Sequence, residues 1–313
     1  MNSISVLLIV KDEPAIEQTL TALKIQIEKF AAECLVVDAS QGRLSDIQKK
    51  NPWVRWVAFE QPPGRRFTIP HQRNLALQMS AGDNVFFCDS GYIPSENWLA
   101  SMNSALNSRA NAIVGGPIIH RSGSKVIYTE NGGRDGEIAK ISTTANLGLK
   151  REILSITGSF DENFDYGSDA DFIWRAADNG ISHVIASGGE LTVSMDSFKR
   201  DCKRFYRYGK ARVRILRKHK KRIIPSIISS PDLVLYPFLL LSPLALFVFN
   251  SNVQILVYAS SMVSVNIFLF IRNRKNYRDL ALILKKYLYG MGMLIGILNI
   301  FTELLSNPTK KNQ

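Results

Sequence analysis

Two apolar runs without any charged residue limit most strongly what this chain can fold into. Residues 233–249 and 253–271 contain no Asp, Glu, Lys or Arg, and only Asn250, Ser251 and Asn252 separate them. A bilayer core of about 30 Å is crossed by about 17 to 25 helical residues. The sequence therefore predicts two membrane spans joined as a helical hairpin. A third run, 288–305, fits either another span or an interfacial helix.

A cluster of positive charge precedes the first apolar run. Residues 199–222 contain thirteen Lys and Arg against one acidic residue, Asp201, and so account for the whole net charge of +12. Because the cluster adjoins an apolar run, we expect it to contact anionic membrane lipids rather than nucleic acid. A second basic stretch, 272–286, follows the second run. The positive-inside rule then predicts a multi-pass protein of the inner (plasma) membrane with a cytoplasmic N-terminal region.

These features predict three regions along the chain: a folded domain over 1–198, a basic juxtamembrane segment over 199–232 and a membrane region over 233–305. The apolar stretch 6–10 is short and is followed at once by Lys11 and Asp12, which favours a buried strand over a secretory signal. The three cysteines form no CxxC pair, so neither a disulfide framework nor a structural zinc site is expected. The sequence gives no indication of oligomeric state.

Short apolar runs alternate with helix-like stretches over the first part of the chain, which is the pattern of an α/β sheet with crossover helices. We predict strands at 5–10, 34–37, 53–59 and 84–88, and helices at 14–30, 73–81 and 172–179. Ligands in open α/β sheets bind at the carboxyl ends of strands. The polar residues predicted at those ends are Lys11, Asp12, Asp38 and Asp89.

Three common nucleotide or hydrolase motifs are absent from the sequence. It contains no GxGxxG, no GxxxxGK[ST] and no GxSxG. A dinucleotide-binding Rossmann domain, a P-loop and a nucleophile elbow are therefore not expected.

Six sequence blocks occur in a characteristic order over most of residues 4–180. They are VLLIVKDEPAIEQTL, VVDAS, QRNLAL, FFCDSGYIPSENWL, TTANLGLKREIL and GSFDENFDYGSDADFIWRAADNG. In these blocks the chain resembles the family 2 glycosyltransferases of the GT-A fold. The resemblance implies a Rossmann-like α/β nucleotide-sugar-binding domain followed by C-terminal transmembrane helices. The segment 204–212 is also similar to the membrane-anchored exopolysaccharide (succinoglycan-type) glucosyltransferase branch.

The resemblance implies a donor site at the strand ends. Asp89 occupies the first position of the family's DxD motif, which implies binding of ribose or of a divalent cation, Mg²⁺ or Mn²⁺. The second position is Gly91, so water or another side chain would complete the shell of the metal. The other residues at matching positions are Lys11 and Asp12 beside the nucleobase, Asp38 and Ser40 on uracil or ribose, and Arg73 near phosphate.

The resemblance also implies a catalytic base. Asp169 aligns with the Asp of the family's E-D pair, while Ser168 replaces the Glu. An acceptor hydroxyl needs such a base because its pKa is far above 7. Asp171 and Asn146 are expected to contact the acceptor or to orient a helix. One base without a protein nucleophile implies a single displacement with inversion.

Together these features predict an enzyme that moves a sugar from a UDP-sugar to a lipid-linked or other glycan acceptor at the membrane. One alternative is transfer to polyprenyl phosphate, which needs no acceptor hydroxyl. Another is a non-catalytic membrane scaffold on a degenerate fold, suggested by Gly91 and Ser168. A processive synthase is disfavoured because few spans are predicted and QxxRW is absent. Residues 115–134 fit a hairpin or a mobile loop over the donor.

Overall fold

The structure, a computed structural model, describes residues 2–64, 68–139, 143–195, 197–247, 251–273 and 279–306. It divides into two compact units, Met1–Met195 and Asp196–Gln313. The first unit is a mixed α/β domain, and the second unit is helical. This confirms the predicted α/β class for the N-terminal part of the chain.

The first unit contains eleven strands among its described residues. In chain order they are β1 Ile4–Val10, β2 Glu33–Asp38, β3 Arg55–Ala58, β4 Asn84–Cys88, β5 Ile93–Pro94, β6 Ala112–Gly115, β7 Ile118–Ser122, β8 Lys125–Glu130, β9 Asn146–Lys150, β10 Ser182–Ile185 and β11 Leu191–Ser194. Seven of them form the main sheet in the order β10-β6-β9-β4-β1-β2-β3. All are parallel to β1 except β9, which pairs antiparallel with β4 and β6.

The helices of this unit cover both faces of the main sheet. They are α1 Ile16–Phe30, α2 Ser45–Lys50, α3 Ile69–Met79, α4 Trp98–Asn107, α5 Ile153–Thr157 and α6 Ser168–Asp178. In β1, Val6 and Leu8 face the core layer that includes Leu20 of α1, whereas Leu7 faces the layer that includes Phe172 of α6. A strand buried on both faces is apolar throughout, which is why the run in β1 identified it from sequence.

Two of the predicted helices begin four residues earlier in the structure. The helix predicted at 73–81 begins at Ile69, because Pro70 is tolerated in a first helical turn. The helix predicted at 172–179 begins at Ser168, directly after Gly167, whose φ is 82°.

Residues 115–134 contain a β-hairpin rather than a loop. β7 and β8 pair antiparallel, with a register shift between His120 and Arg121. The hairpin belongs to a second sheet of order β5-β11-β7-β8. Of the two alternatives for this segment, the structure confirms the hairpin.

The second unit contains five α-helices in the described residues. They are α7 Phe198–Lys218, α8 Ile223–Ser229, α9 Asp232–Leu241, α10 Asn252–Asn273 and α11 Asp279–Ser306. Short 3₁₀ helices cover Lys220–Arg222 and Ser242–Phe247.

The predicted membrane spans are only partly matched by these helices. Among the described residues, one helix is long and apolar enough to cross a membrane, α11 over Ala281–Glu303. Within the predicted span 233–249, α9 gives way to a 3₁₀ helix next to Pro243, because proline lacks a backbone N–H. Residues 248 and 249 of this predicted span lie outside the described residues. Residues 220–229 and 232–244 are long and apolar enough for a membrane span only when they are taken together. The chain bends by 84° between these two segments. The apolar part of α10, Asn252–Phe268, is at the lower limit of length for a span.

Candidate active site

Three neighbouring strands bring the predicted donor residues to one edge of the main sheet. β1 pairs in parallel with β2 and with β4, so the carboxyl ends of all three strands meet. Asp12, Asp38 and Asp89 lie at these ends. The sequence-based placement of the three carboxylates at one edge is therefore what the structure shows.

A network of hydrogen bonds orders the edge between β1 and β2. The Asp12 N–H donates to Ser40 Oγ at 2.8 Å, and the Ser40 N–H donates to Asp38 Oδ1 at 2.7 Å. Ser40 is fully buried. We therefore assign Ser40 to positioning the Asp12 backbone, and the ligand contact of its side chain stays a prediction.

Arg43 joins this network, although the sequence did not indicate it. Its Nε donates to Asp12 Oδ1 at 2.6 Å. This hydrogen bond lowers the pKa of Asp12, which is thus ionised at neutral pH. Lys11 is exposed, and its Nζ donates to Gln61 Oε1 at 3.2 Å. The β1 edge therefore presents an anion flanked by two cations.

The second part of the site combines Asp89, Arg73 and Asp169. Arg73 is on α3, and its guanidinium lies 3.7 Å from Asp89 Oδ1. The Arg73 side chain is only 8% exposed, and that of Asp89 is 34% exposed. Asp169 is in the first turn of α6. Asp169 lies close enough to Arg73 and Asp89 for both charges to act on its pKa.

Burial raises the pKa of both carboxyl groups. For Asp89 the loss of solvent outweighs the opposing charge of Arg73. For Asp169 the loss of solvent also outweighs the positive charge of Arg73, and the negative charge of Asp89 raises the pKa of Asp169 further. A carboxylate with a raised pKa is a stronger base than an ordinary Asp.

Gly91 occupies a turn that disfavours any other residue. The Tyr92 N–H donates to Asp89 O at 3.2 Å, and Gly91 within this turn has a φ of 83°. Its N–H donates to Thr19 Oγ1 at 3.0 Å. A Cβ would meet nothing closer than Ala15 Cβ at 3.5 Å, so backbone strain rather than space excludes a side chain.

The donor set around Asp89 suits a cation shared with a ligand. No group of three or more His, Cys, Asp or Glu that could hold a metal occurs in the part of the chain that the structure describes. Mg²⁺ commonly binds proteins through one or two carboxylates plus substrate phosphates. Asp89, half-buried and at the open edge of the sheet, fits that mode and not an all-protein cage.

Asp171 and Asn74 hold the segment that presents Asp169. Asp171 is fully buried and accepts from Arg175 Nε at 3.0 Å; Arg175 also donates to the carbonyl oxygens of Thr157 and Ser159. Asn74 of α3 exchanges two hydrogen bonds with the Phe160 backbone, at 2.9 and 3.0 Å. Asp171 thus helps to orient α6, which is one of the two roles predicted for it.

Asn146 has a structural environment. Its side chain is fully buried; Oδ1 accepts from Trp98 Nε1 at 2.9 Å, and Nδ2 donates to Gly189 O at 2.7 Å and Pro117 O at 3.1 Å. Asn146 thus connects β9 to α4 and to the segments that precede β7 and β11. The acceptor contact of Asn146 stays a prediction.

The overall fold is that of GT-A glycosyltransferases. No protein-family model matches the chain, and no curated protein matches it in sequence. A mannosyltransferase from Pyrobaculum calidifontis, PcManGT, solved with GDP-Man and Mn²⁺, has a TM-score of 0.61 at 16% identity over 95% of this chain and 88% of its own.

Two other solved structures match the chain over shorter spans. TarS 1–349 of S. aureus has a TM-score of 0.53 at 17% identity, over 68% of this chain and 65% of its own. GalNAc-T7, solved with UDP, GalNAc and Mn²⁺, has a TM-score of 0.52 at 14% identity, over 63% and 44%. The chain thus spans less than two thirds of these two proteins. The similarities confirm the GT-A fold and leave the succinoglycan branch unconfirmed.

Proposed function

We propose that this protein is an inverting glycosyltransferase that uses a nucleoside diphosphate sugar. The observation that supports this most is the grouping of Asp89, Arg73 and Asp169 at the carboxyl edge of the sheet of a GT-A fold. The half-buried carboxylate and the buried guanidinium suit the departure of a diphosphate. The base of raised pKa suits the activation of an acceptor hydroxyl.

The donor would bind along the edge from β2 to β4. Asp12, Asp38 and Lys11 would contact the nucleobase and ribose, and Arg73 would approach the diphosphate. The expected donor is a UDP-hexose. A divalent cation held by Asp89 and by the diphosphate oxygens would stabilise the leaving diphosphate as a Lewis acid. Arg43, which fixes Asp12 in its ionised state, would support the nucleobase side.

Asp169 would act as the base in one displacement. The acceptor oxygen forms a bond to the anomeric carbon while the bond from that carbon to the diphosphate oxygen breaks. The acceptor proton moves to Asp169, and the nucleoside diphosphate leaves with the electron pair. Because attack occurs opposite the leaving group, the anomeric configuration inverts.

The acceptor is proposed to be a lipid-linked glycan at the cytoplasmic face of the plasma membrane, in polysaccharide or glycolipid synthesis. The support is the C-terminal unit, with its basic α7 and its apolar helices. Confinement of enzyme and acceptor to one membrane raises their effective concentration.

A transfer screen on the full-length, detergent-solubilised protein tests this function. UDP- and GDP-sugars would be offered with Mg²⁺, Mn²⁺ or EDTA. We expect metal-dependent turnover of one donor, at least about 100-fold slower in Asp169→Asn. The control is Asp165→Asn, which removes a carboxylate from the same segment and should leave turnover unchanged.

The other outcomes identify the alternatives. Turnover that survives Asp169→Asn would indicate a phosphate acceptor such as polyprenyl phosphate, because that acceptor needs no base. No turnover with any donor, together with no rise in melting temperature on adding UDP or GDP, would indicate a non-catalytic scaffold.

A further inference from the structure

Helix α11 has the length of a membrane span but an unusual neighbour. Its apolar part, Ala281–Glu303, is 23 residues long, and only 22% of its most apolar window is buried within the protein. It is therefore not the core helix of a globular unit. The exposed apolar side chains of α11 therefore need a contact partner outside this chain, such as a membrane.

The neighbour is the basic helix α7, which runs beside α11 in the same direction. Lys285 Nζ lies 2.6 Å from Asp201 Oδ2 near the start of both helices, and Arg214 lies 2.7 Å from Glu303 near their ends. Since low residue numbers pair with low and high with high, the two helices are parallel.

Glycines hold the two helices in backbone contact between these ion pairs. A Cβ on Gly209 of α7 would collide with the Tyr289 carbonyl oxygen, and one on Gly292 of α11 would collide with the Tyr206 carbonyl oxygen. Small residues are what such a close approach needs. The contact therefore extends along the helices and is not confined to their ends.

This contact conflicts with a bilayer crossing by α11. Helix α7 has ten Lys and Arg and one acidic residue, Asp201. If α11 stood across a bilayer, α7 beside it would place several of these charges at the depth of the hydrocarbon, where each is costly. A helix pair in the plane of the interface keeps the same charges at the headgroups.

The exposed side chains of the pair match that second arrangement. Leu284, Met291, Leu298 and Leu305 are 47%, 41%, 58% and 81% exposed, and they are spaced seven residues apart. Residues at this spacing form one stripe along a helix. The exposed basic residues of α7 are Lys199, Arg200, Lys203, Arg217 and Lys218. An apolar stripe with adjacent basic residues is typical of interfacial helices.

We propose that α7 and α11 lie together in the interface of an anionic bilayer, and that α11 does not cross it. The stripe of Leu284, Met291, Leu298 and Leu305 enters the acyl boundary. The basic residues of α7 contact anionic headgroups. Both ends of α11 therefore stay on the same side of the membrane.

Depth measurements along the stripe test this arrangement. Full-length protein with Cys202→Ser would be reconstituted into vesicles of phosphatidylcholine and phosphatidylglycerol; Cys34 and Cys88 are buried. One nitroxide at a time would be attached at residue 284, 291, 298 or 305, and at Asp46 of α2, whose side chain is 89% exposed, as a reference in water. Collision with oxygen and with a water-soluble nickel complex gives the depth of each label.

We expect the four stripe labels to lie at one shallow depth, within about 5 Å of each other. In a helix that crosses the bilayer, a rise of about 1.5 Å per residue would separate the labels at 284 and 305 by about 30 Å. A depth that is greatest at residues 291 and 298, with the labels at 284 and 305 on opposite sides, would overturn the proposal. The Asp46 label, in the first unit, should remain in water in either case, which shows that the measured depths are specific to α11.

A change of lipid tests the anionic partner separately. In vesicles of phosphatidylcholine alone, the label at residue 298 should become at least twofold more accessible to the nickel complex. Unchanged accessibility would refute the contribution of anionic headgroups. Because neither measurement uses a sugar donor, the result does not depend on the proposed activity.

Discussion

At the scale of single residues, the turn after β4 determines how many carboxylates the protein offers to a metal. Asp89 begins the turn, and Gly91 has the positive φ that the turn needs. A carboxylate at this position would have room but not the right backbone. The departure from DxD is thus a consequence of the local backbone.

A carboxylate introduced at position 91 should therefore destabilise the protein. Gly91→Asp is expected to lower the free energy of unfolding by about 1–2 kcal/mol, because an L-residue is placed in the left-handed region. Urea unfolding followed by tryptophan fluorescence measures this in the first unit alone, which contains all four tryptophans. Gly91→Ala is the control and should cost a similar amount. Full stability with tighter Mn²⁺ binding in Gly91→Asp would contradict this account.

Arg73 is expected to set the pH dependence of transfer. Burial raises the pKa of Asp169, and the charge of Arg73 opposes that rise. Arg73→Met removes the opposing charge, so the pKa of Asp169 rises further. The base must be ionised to act, and the acidic limb of kcat/KM should then move to higher pH. Arg55→Met, on β3, is the control. A limb that moves to lower pH would exclude Asp169 as the titrating base.

His183 should make the first unit sensitive to acid. Burial lowers its pKa from 6.5 to about 4, and neither ring nitrogen has a hydrogen-bond partner in the described residues. Between pH 6.5 and 4 the unfolded chain binds a proton that the folded protein does not. Stability should therefore fall by about 3 kcal/mol over this range as pH decreases. Urea unfolding at several pH values measures the loss. His183→Phe should flatten this pH dependence, and an unchanged slope would assign it to other groups.

The residues that the sequence did not reveal are those whose partners are distant in the chain. Asp12, Asp38 and Asp89 were predictable because each lies at the carboxyl end of a buried strand. Arg43 meets Asp12 across 31 residues, and Asn74 meets Phe160 across 86. Neither has a local pattern of its own, so only the fold brings them to the site.

At the scale of elements, Asn146 joins β9 to α4 and to the segments before β7 and β11. Asn146→Ala would leave the Trp98 N–H and two carbonyl groups buried without these partners. Each such group costs about 1–3 kcal/mol, so we expect a loss of about 3 kcal/mol or more. The control is Asn179→Ala, because the Asn179 side chain donates to one carbonyl oxygen, that of Arg175 in α6, among the described residues. Equal stability of the two variants, measured by urea unfolding, would contradict the structural role.

The strands were easier to predict than the C-terminal helices. A buried strand such as β1 is apolar throughout, and its length follows from its composition. Hydropathy gave apolar runs in the second unit but not helix ends. Lys285 and Lys286 were counted as a basic flank, yet they lie inside α11, where Asp201 and Asp232 pair with them. Such pairs depend on packing between helices that a single sequence does not show.

At the scale of the whole molecule, the candidate active site and the apolar helices belong to different units. The first unit places its carboxylates at one sheet edge, and the second contains the apolar helices and the thirteen basic residues of 199–222. The net charge therefore belongs to the second unit and indicates its surroundings. It does not indicate the ligand of the first unit.

The most direct test of the central claim is equilibrium binding of UDP and GDP to the full-length protein, by calorimetry with Mn²⁺. We expect one nucleotide to bind at a single site, at least about 10-fold more weakly with EDTA or in Asp89→Asn, a loss of about 1.4 kcal/mol. Asp83→Asn, which removes a carboxylate next to the opposite end of β4, should bind as the wild type does. Binding that is unchanged in Asp89→Asn, or no binding of either nucleotide, would contradict the account.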